Sequence, residues 1–168
     1  FKEKVIPMLD KGENLFFVLV DNLRFDQWKI ISKMFGDYFT IEEELYTSIL
    51  PTSTQYARNA IFSGLMPDRI EKIYPDLWVD EDNEEGKNLN EEPMIAGCLS
   101  RYRRDYSFSY NKVYENQYLE RLVSGFSKLA GNRLNVLVLN FIDMLSHART
   151  DSHIVRQLAS SEAGYLSL

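Results

Sequence analysis

Two largely apolar runs, rich in β-branched and aromatic residues, stand out along the chain. The first is Leu15–Val20, which Asp21 follows, and the second is Val136–Ile142, which Asp143 follows. A strand without polar alternation is typical of a sheet that helices cover on both sides. We therefore predict two strands buried on both faces, each with an aspartate directly after its carboxyl end.

Helical spacing follows the first run. Apolar residues about one turn apart predict a helix at Arg24–Phe35, whose apolar face consists of Phe25, Trp28, Ile31 and Phe35. We expect this face, and Trp28 in particular, to belong to the core.

The rest of the pattern completes an α/β fold. Its predicted elements are a lead-in helix within residues 1–13, a strand at Phe39–Leu45, a helix at Thr54–Phe62 closed by Ser63-Gly64, a helix at Met94–Tyr102, a strand at Tyr106–Tyr110, and helices at Glu115–Leu129 and His153–Leu168. This order favours a largely parallel sheet with helices on both faces.

The length and composition suit one domain. The chain has 168 residues, of which 45% are hydrophobic, enough for a core of its own. Residues 79–92 are polar and acidic, and they predict an insertion loop. The chain opens on Phe1 rather than Met and stops at Leu168 inside a helical pattern. We therefore expect residues 14–168 to be the N-terminal part of a domain in a longer protein.

Charge and cysteine content narrow the class of protein. A net charge of −6 does not favour a broad nucleic-acid-binding face, and the basic cluster at 101–104 is typical of solvated surface. The single cysteine, Cys98, excludes an intrachain disulfide. No apolar run reaches the length of a membrane span and no signal peptide is visible, so we expect a cytoplasmic protein.

The two aspartates after the strands are candidate ligands. In open α/β sheets, ligands bind outside the carboxyl ends of the strands. Asp143 is followed four residues later by His147, and carboxylate and imidazole groups together suit Zn²⁺. Taken alone, each aspartate reads as a cap, and the Asp-x-x-x-His pair reads as ordinary helical neighbours.

A third candidate lies at the start of a predicted helix. The segment Pro51-Thr52-Ser53-Thr54 offers three hydroxyl groups near the positive end of the helix dipole, where backbone amides can hold a phosphate. A cation beside such a hydroxyl would make it a usable nucleophile. On this segment alone, a plain helix cap is the better interpretation.

The three segments, in this order, resemble the alkaline phosphatase superfamily. Its nucleotide pyrophosphatase/phosphodiesterase branch has Pro-x-x-Thr, a helix and then Gly-Leu-x-Pro, as do Pro51–Thr54 and Gly64–Pro67. The branch's Asp-x-x-Arg pattern matches Asp21–Arg24, and its Asp-x-x-x-His pattern matches Asp143 and His147.

A more specific resemblance joins these segments. Val20–Trp28, Pro51–Pro67 and Asn140–Thr150 together are similar to the PglZ domain. They look most like the output domain of the PorX-type response regulators of Bacteroidetes, which are linked to type 9 secretion. The resemblance spans the chain from about Leu15 to Leu168 and implies an alkaline phosphatase-like fold.

This resemblance implies a two-zinc phosphoesterase site. Asp21 and Thr54 would bind one ion, Asp143 and His147 would bind the other, and Thr54 would attack phosphorus. The implied activity is a phosphodiesterase on linear or cyclic nucleotides or oligonucleotides. The implied partners are a receiver domain and a sensor kinase in a two-component system.

The sequence departs from the family in two ways. The later Asp-His pair and the final His are absent, so we expect the remaining zinc ligands beyond residue 168 and weak or absent metal binding by this chain alone. Ala57 stands where the phosphodiesterase branch has Asn, so substrate contacts must come from elsewhere. Asn22, Arg58 and Asn59 are the candidates.

Two alternatives to a phosphodiesterase are considered, and the first of them stays open. The same fold could serve as a catalytically inactive signalling module that binds a nucleotide or a protein partner. A sulfatase or phosphomutase relative is disfavoured, because the nucleophile segments typical of those enzymes are missing around Thr54.

Overall fold

A computed structural model describes residues 1–79, 88–114, 116–158 and 160–161, and within these ranges the fold is α/β. The strands are β1 (Leu15–Val20), β2 (Phe108–Val113) and β3 (Leu134–Leu139). The helices are α1 (Val5–Asp10), α2 (Phe25–Phe35), α3 (Thr54–Ser63), α4 (Pro67–Ile73), α5 (Glu91–Arg101), α6 (Asn116–Ser124), α7 (Phe126–Leu129), α8 (Phe141–Asp151) and α9 (His153–Leu158), with a 3-10 turn at Pro75–Leu77.

The three strands form one parallel sheet in the order β1-β3-β2. The amide of Leu15 bonds to the carbonyl of Arg133, and the amide of Asp21 bonds to that of Leu139, both at 2.9 Å. The bonded partners ascend together along the chain, which is the parallel arrangement, and the same order relates β3 to β2. The carboxyl ends of β1 and β3 therefore lie side by side.

The chain divides into two compact units. The first consists of Phe1–Phe17, Tyr46–Tyr110 and Phe126–Val136, and the second of Val18–Leu45, Asn111–Gly125 and Leu137–Leu168. The first half of each strand belongs to the first unit and the second half to the second unit.

The core of the first unit lies between α3 and α5, the pair of helices with the most extensive contact. Phe62, Met94, Ile95 and Cys98 are all fully buried there. Helix α3 ends as predicted at Gly64, whose φ of +64° is the left-handed C-terminal cap that glycine adopts at low cost. A Cβ at Gly64 would also lie 3.2 Å from the Cys98 Sγ atom, so the close helix contact needs glycine as well.

Helix α1 is tied to the first unit at its carboxyl end. Arg133 donates hydrogen bonds to the carbonyl of Leu9 in the last turn of α1 at 2.7 Å and to that of Gly12 just beyond the helix at 2.9 Å. The Asp10 carboxylate accepts two bonds of 2.7 Å from Arg104 and one from a tyrosine hydroxyl. The Arg104 guanidinium is the main reason that the pKa of Asp10 falls to about 2.

The strand predicted at Phe39–Leu45 is wrong. These residues form neither strand nor helix, and their apolar side chains are exposed. Glu43 accepts hydrogen bonds of 2.8 and 2.9 Å from Lys29 and one of 3.1 Å from the Trp28 indole. Side-chain bonds to α2 therefore hold the segment, and its β-rich composition is misleading.

The second predicted strand is displaced along the chain. The strand β3 occupies Leu134–Leu139 rather than Val136–Ile142, and Asn140 is the N-cap of helix α8, which had no sequence prediction. Asp143 therefore lies in the first turn of a helix and not at a strand end. The apolar residues before Asp143 belong to two different elements, and the polar Asn140, a residue type favoured at helix N-caps, marks the boundary between them.

Two surfaces that the sequence predicts to be buried are exposed to solvent in the described structure. In β1, Phe16 and Val18 are 40% and 48% exposed, whereas β3 is buried along almost its whole length. In α2, Phe25 and Phe35 are 48% and 41% exposed, and Trp28 is only partly buried. The described residues do not cover these faces, so the prediction that both sides of β1 are buried is wrong here.

Most of the remaining predicted boundaries differ from the observed ones by one turn or less. Helix α5 begins at Glu91, so the predicted acidic loop ends earlier, and residues 80–87 of that loop lie outside the described residues. The helix predicted up to Leu129 is broken at Gly125 into α6 and α7, and helix α4 had no sequence prediction. Helix α9 begins at His153, and residues 159 and 162–168 lie outside the described ranges. Among the described residues, no helix combines the length and apolar character that crossing a membrane requires.

Candidate functional site

A polar face on α8 carries two of the predicted metal ligands. The His147 Nε2 atom lies 3.7 Å from the Asp143 Oδ1 atom. Asp143, Ser146, His147 and Thr150 have the i, i+3, i+4, i+7 spacing that places side chains along one helix face. The carboxylate side chain of Asp143 is 25% exposed and the imidazole of His147 is 80% exposed, so both can be reached from solvent.

Asn22 links the end of β1 to this face. It follows Asp21 with a φ of +56°, a left-handed conformation that asparagine tolerates better than most residues. Its Nδ2 atom donates a hydrogen bond of 3.3 Å to the Asp143 Oδ1 atom. Asp21 itself is 8% exposed. The structure thus brings Asn22, Asp143 and His147 together within the second unit. Asn22 directly follows Asp21 in the chain.

The Asp143–His147 pair fits part of a zinc site. Ligand atoms that bind one tetrahedral Zn²⁺ at about 2.0–2.2 Å lie about 3.3–3.5 Å apart, and the observed separation is 3.7 Å. The bond from Asn22 would orient the carboxylate in the way that outer partners orient metal ligands. Among the residues that the structure describes, no group of three or more His, Cys, Asp and Glu side chains is placed to hold a metal ion.

A cleft with basic and hydroxyl groups opens on the same helix. Its volume is about 400 Å³, and it is lined by Arg24, Ser146, Thr150 and Arg156. The Arg24 guanidinium is paired with Asp26 at 2.9 and 2.7 Å, and this pairing lowers the pKa of Asp26. The hydroxyls of Ser146 and Thr150 donate to the carbonyls of Ile142 and Ser146, so the arginine guanidiniums are the cationic groups of this lining, and Asp26 offsets part of the Arg24 charge.

Thr54 lies in the first unit, as the first residue of α3. Ser53 before it is extended, with a φ of −65° and a ψ of 146°, and Thr54 is partly exposed. The free amides of this first turn suit an anion. The next two residues are held in place: the Gln55 side chain donates to the Val79 carbonyl, and the Tyr56 ring contacts an indole ring at a centroid distance of 5.9 Å.

Arg58 and Asn59, two candidate substrate contacts, are buried at 3% and 1% exposure. The Arg58 Nε and Nη2 atoms donate to the two carboxylate oxygens of Glu91 at 2.7 and 2.6 Å, and the Tyr110 hydroxyl also donates to Glu91. The Arg58 guanidinium is therefore engaged inside the protein. Of the three candidates, Asn22 is the one with an exposed side chain.

Sequence reasoning missed Glu91 and Tyr110. Glu91 sits beside Glu92 at the end of an acidic stretch, and both read as solvated charge. In the structure Glu91 is fully buried and Glu92 is exposed. The only usable signal was positional, because a helix that begins at residue 91 would turn one of the two glutamates inward.

The parallel sheet and the helices that accompany it define an α/β protein. Residues 1–167 match the family described as the BREX system PglZ alkaline phosphatase-like domain. The chain belongs to this PglZ family, which confirms the family part of the sequence prediction and indicates a phosphoesterase-type hydrolase. A search among curated proteins found no match.

Proposed function

We propose that this PglZ domain is a zinc-dependent phosphodiesterase that acts on nucleotides or oligonucleotides. The observation that carries the proposal is the Asp143–His147 pair, held by Asn22 beside the carboxyl ends of β1 and β3. The cleft next to this pair is lined by two arginines, whose guanidiniums suit the phosphate groups of such a substrate.

Four residues have proposed roles. Asp143 and His147 would hold one zinc ion, and Asp21 and Thr54 would hold a second. When bound, the ions would stabilise negative charge on phosphate and on a nearby hydroxyl oxygen. Thr54 would form an ester bond to phosphorus as the bond to the leaving alcohol breaks, and water would then hydrolyse that ester and restore the hydroxyl. The support for Thr54 is its motif and its place at a helix start with free amides.

The biological setting is also a proposal, and it rests on the resemblance to PorX-type proteins. In that setting the domain is the output module of a cytoplasmic response regulator, its partners are a receiver domain and a sensor kinase, and its pathway is type 9 secretion. The alternative is a catalytically inactive module of the same fold that binds a nucleotide or a protein.

Zinc content and hydrolysis by the full-length protein test the proposal. The protein is assayed with bis-p-nitrophenyl phosphate as diester and p-nitrophenyl phosphate as monoester, and bound zinc is measured by atomic absorption. We expect Thr54→Ala to lower diester hydrolysis by at least about 10³-fold. The matched control is Thr52→Ala, which removes an exposed hydroxyl two residues earlier and should keep full activity.

The chain also offers a matched control for the metal ligand. It has two histidines, and His153 lies exposed at the start of α9. We expect His147→Gln to lose zinc and activity and His153→Gln to keep both. Equal zinc content in the two variants would exclude His147 as a ligand. A Thr54→Ala protein that signals normally in cells would favour the inactive module.

A further inference from the structure

A buried charged cluster lies inside the first unit, outside the groups to which the proposed function assigns a role. It consists of Arg58 in α3, Glu91 at the start of α5 and Tyr110 in β2. The side chains of Arg58 and Glu91 are 4% and 0% exposed, and their two hydrogen bonds measure 2.6 and 2.7 Å. Three separate elements therefore meet at one carboxylate that water does not reach.

Stability alone does not account for such a cluster. Moving two charges out of water costs several kcal/mol per ion, and well-packed apolar residues of similar volume often give equal or greater stability. A bidentate pair between guanidinium and carboxylate does provide fixed geometry, because two parallel bonds hold both groups in one plane. The cluster is therefore better suited to fixing the position of α3 than to strengthening the fold.

The position of Arg58 along α3 connects the buried cluster to Thr54. Arg58 follows Thr54 by four residues, so the two side chains lie one turn apart on neighbouring parts of the same helix face. The turn between them is also held at Gln55, whose side chain donates to the Val79 carbonyl. The contacts of Gln55 and Arg58 therefore hold the first turn of α3, and Thr54 is the first residue of that turn.

We propose that Arg58 and Glu91, completed by Tyr110, are positioning residues for Thr54. They act through the first turn of α3 and do not contact the substrate. This inference rests on the proposed function, in which Thr54 is the nucleophile. Displacing a reacting group by about 1 Å can cost about 10²-fold in rate, so a small rotation of this turn would be visible in kcat.

The test uses two variants of the full-length protein. Arg58→Lys keeps the charge but loses the planar fork, and Arg58→Met combined with Glu91→Leu removes both charges and preserves approximate volume. We expect both to lower kcat for bis-p-nitrophenyl phosphate by about 10- to 100-fold with KM changed less than about twofold. The melting temperature of the double variant should equal or exceed that of the wild type. A purely structural role would move stability and leave kcat unchanged.

The matched control removes an exposed ion pair from the same unit. Arg104→Met combined with Asp10→Leu deletes a bidentate pair of the same type, and we expect an unchanged kcat. A control that loses as much kcat as the Arg58 and Glu91 variant would overturn the positioning role, because any ion pair of the unit would then have the same effect.

Amide hydrogen exchange gives a readout that does not depend on activity. The amide of Ala57 bonds to the Ser53 carbonyl at 2.9 Å across the first turn of α3. In the double variant this amide should exchange at least about tenfold faster, with no change at Phe62 in the last turn. Unchanged exchange, or an active double variant with wild-type kcat, would overturn the inference. An inactive wild-type protein would instead overturn the proposed function, whatever the exchange rates show.

Discussion

Replacing Glu91 by glutamine removes one negative charge from a site that excludes water. The side chain keeps nearly the same shape, so packing between α3 and α5 is preserved. Three donors point at the two carboxylate oxygens: the Nε and Nη2 atoms of Arg58, and the Tyr110 hydroxyl. An amide offers one oxygen and one NH₂ group, so at least one of these donors faces another donor.

The size of the effect follows from this geometry. The guanidinium of Arg58 is 4% exposed and would keep its charge after losing its ion pair with the Glu91 carboxylate. Breaking a buried pair by removing one partner costs about 3–5 kcal/mol. The whole free energy of unfolding of such a domain is about 5–15 kcal/mol, so Glu91→Gln would remove a large part of it.

Urea unfolding followed by circular dichroism measures the change. With a slope of about 2 kcal/mol per molar urea, the midpoint should fall by roughly 1.5–2.5 M. The matched control is Glu92→Gln, the same substitution at an exposed position in the same helix turn, which should change stability by less than about 0.5 kcal/mol. Midpoints that agree within about 0.3 M for the two variants would refute the buried ion pair.

Three further predictions concern other residues. Arg104 lowers the pKa of Asp10 from 3.8 to about 2, so this carboxylate stabilises the fold above about pH 4 and loses that contribution as the pH falls towards 2. Asp10→Asn should abolish this part of the acid dependence of the urea midpoint. A variant whose midpoint falls with pH in parallel with that of the wild type would contradict it. Gly64→Ala should cost about 1–2 kcal/mol, because alanine is strained at a φ of +64° and its Cβ would lie 3.2 Å from a sulfur atom, whereas an unchanged melting temperature would show that the cap relaxes. Asn22→Gly keeps the positive φ but removes the bond to Asp143, and in the full-length protein it should weaken binding at the proposed zinc site by about 10- to 100-fold in calorimetry, so equal affinity would exclude Asn22 as an orienting residue.

Much of the fold could be predicted where local signals agree. The apolar run at Leu15–Val20 gave the bounds of β1, and the helix from Thr54 to Gly64 had both a cap signal and a glycine stop. The prediction at Phe39–Leu45 is wrong because composition favoured a strand while ion pairs and hydrogen bonds to α2 hold that segment. Local propensity does not report such side-chain contacts between distant segments.

The candidate site, like the fold, could be predicted from the sequence only in part. The residue types and their order are visible in the sequence, so Asp143 and His147 could be selected without coordinates. The burial of Arg58 against Glu91 was not predicted, because both Glu91 and the exposed Glu92 precede the predicted helix start at Met94 and read as solvated charge. The side toward which a charged residue points depends on where its helix begins, and helix starts are the part of the pattern least well defined by sequence.

The displacement of Asp143 from a strand end into α8 changes how its carboxylate is oriented. At a strand end, the sheet would fix the direction of the side chain. In the first turn of a helix, Asp143 and His147 share one face and approach to 3.7 Å through helical spacing alone. The position of β1 also affects the Asp143 carboxylate, because Asn22 follows β1 and donates a hydrogen bond of 3.3 Å to it. Asn22 therefore provides a side-chain contact that couples the position of β1, and of Asp21 after its end, to the Asp-His pair.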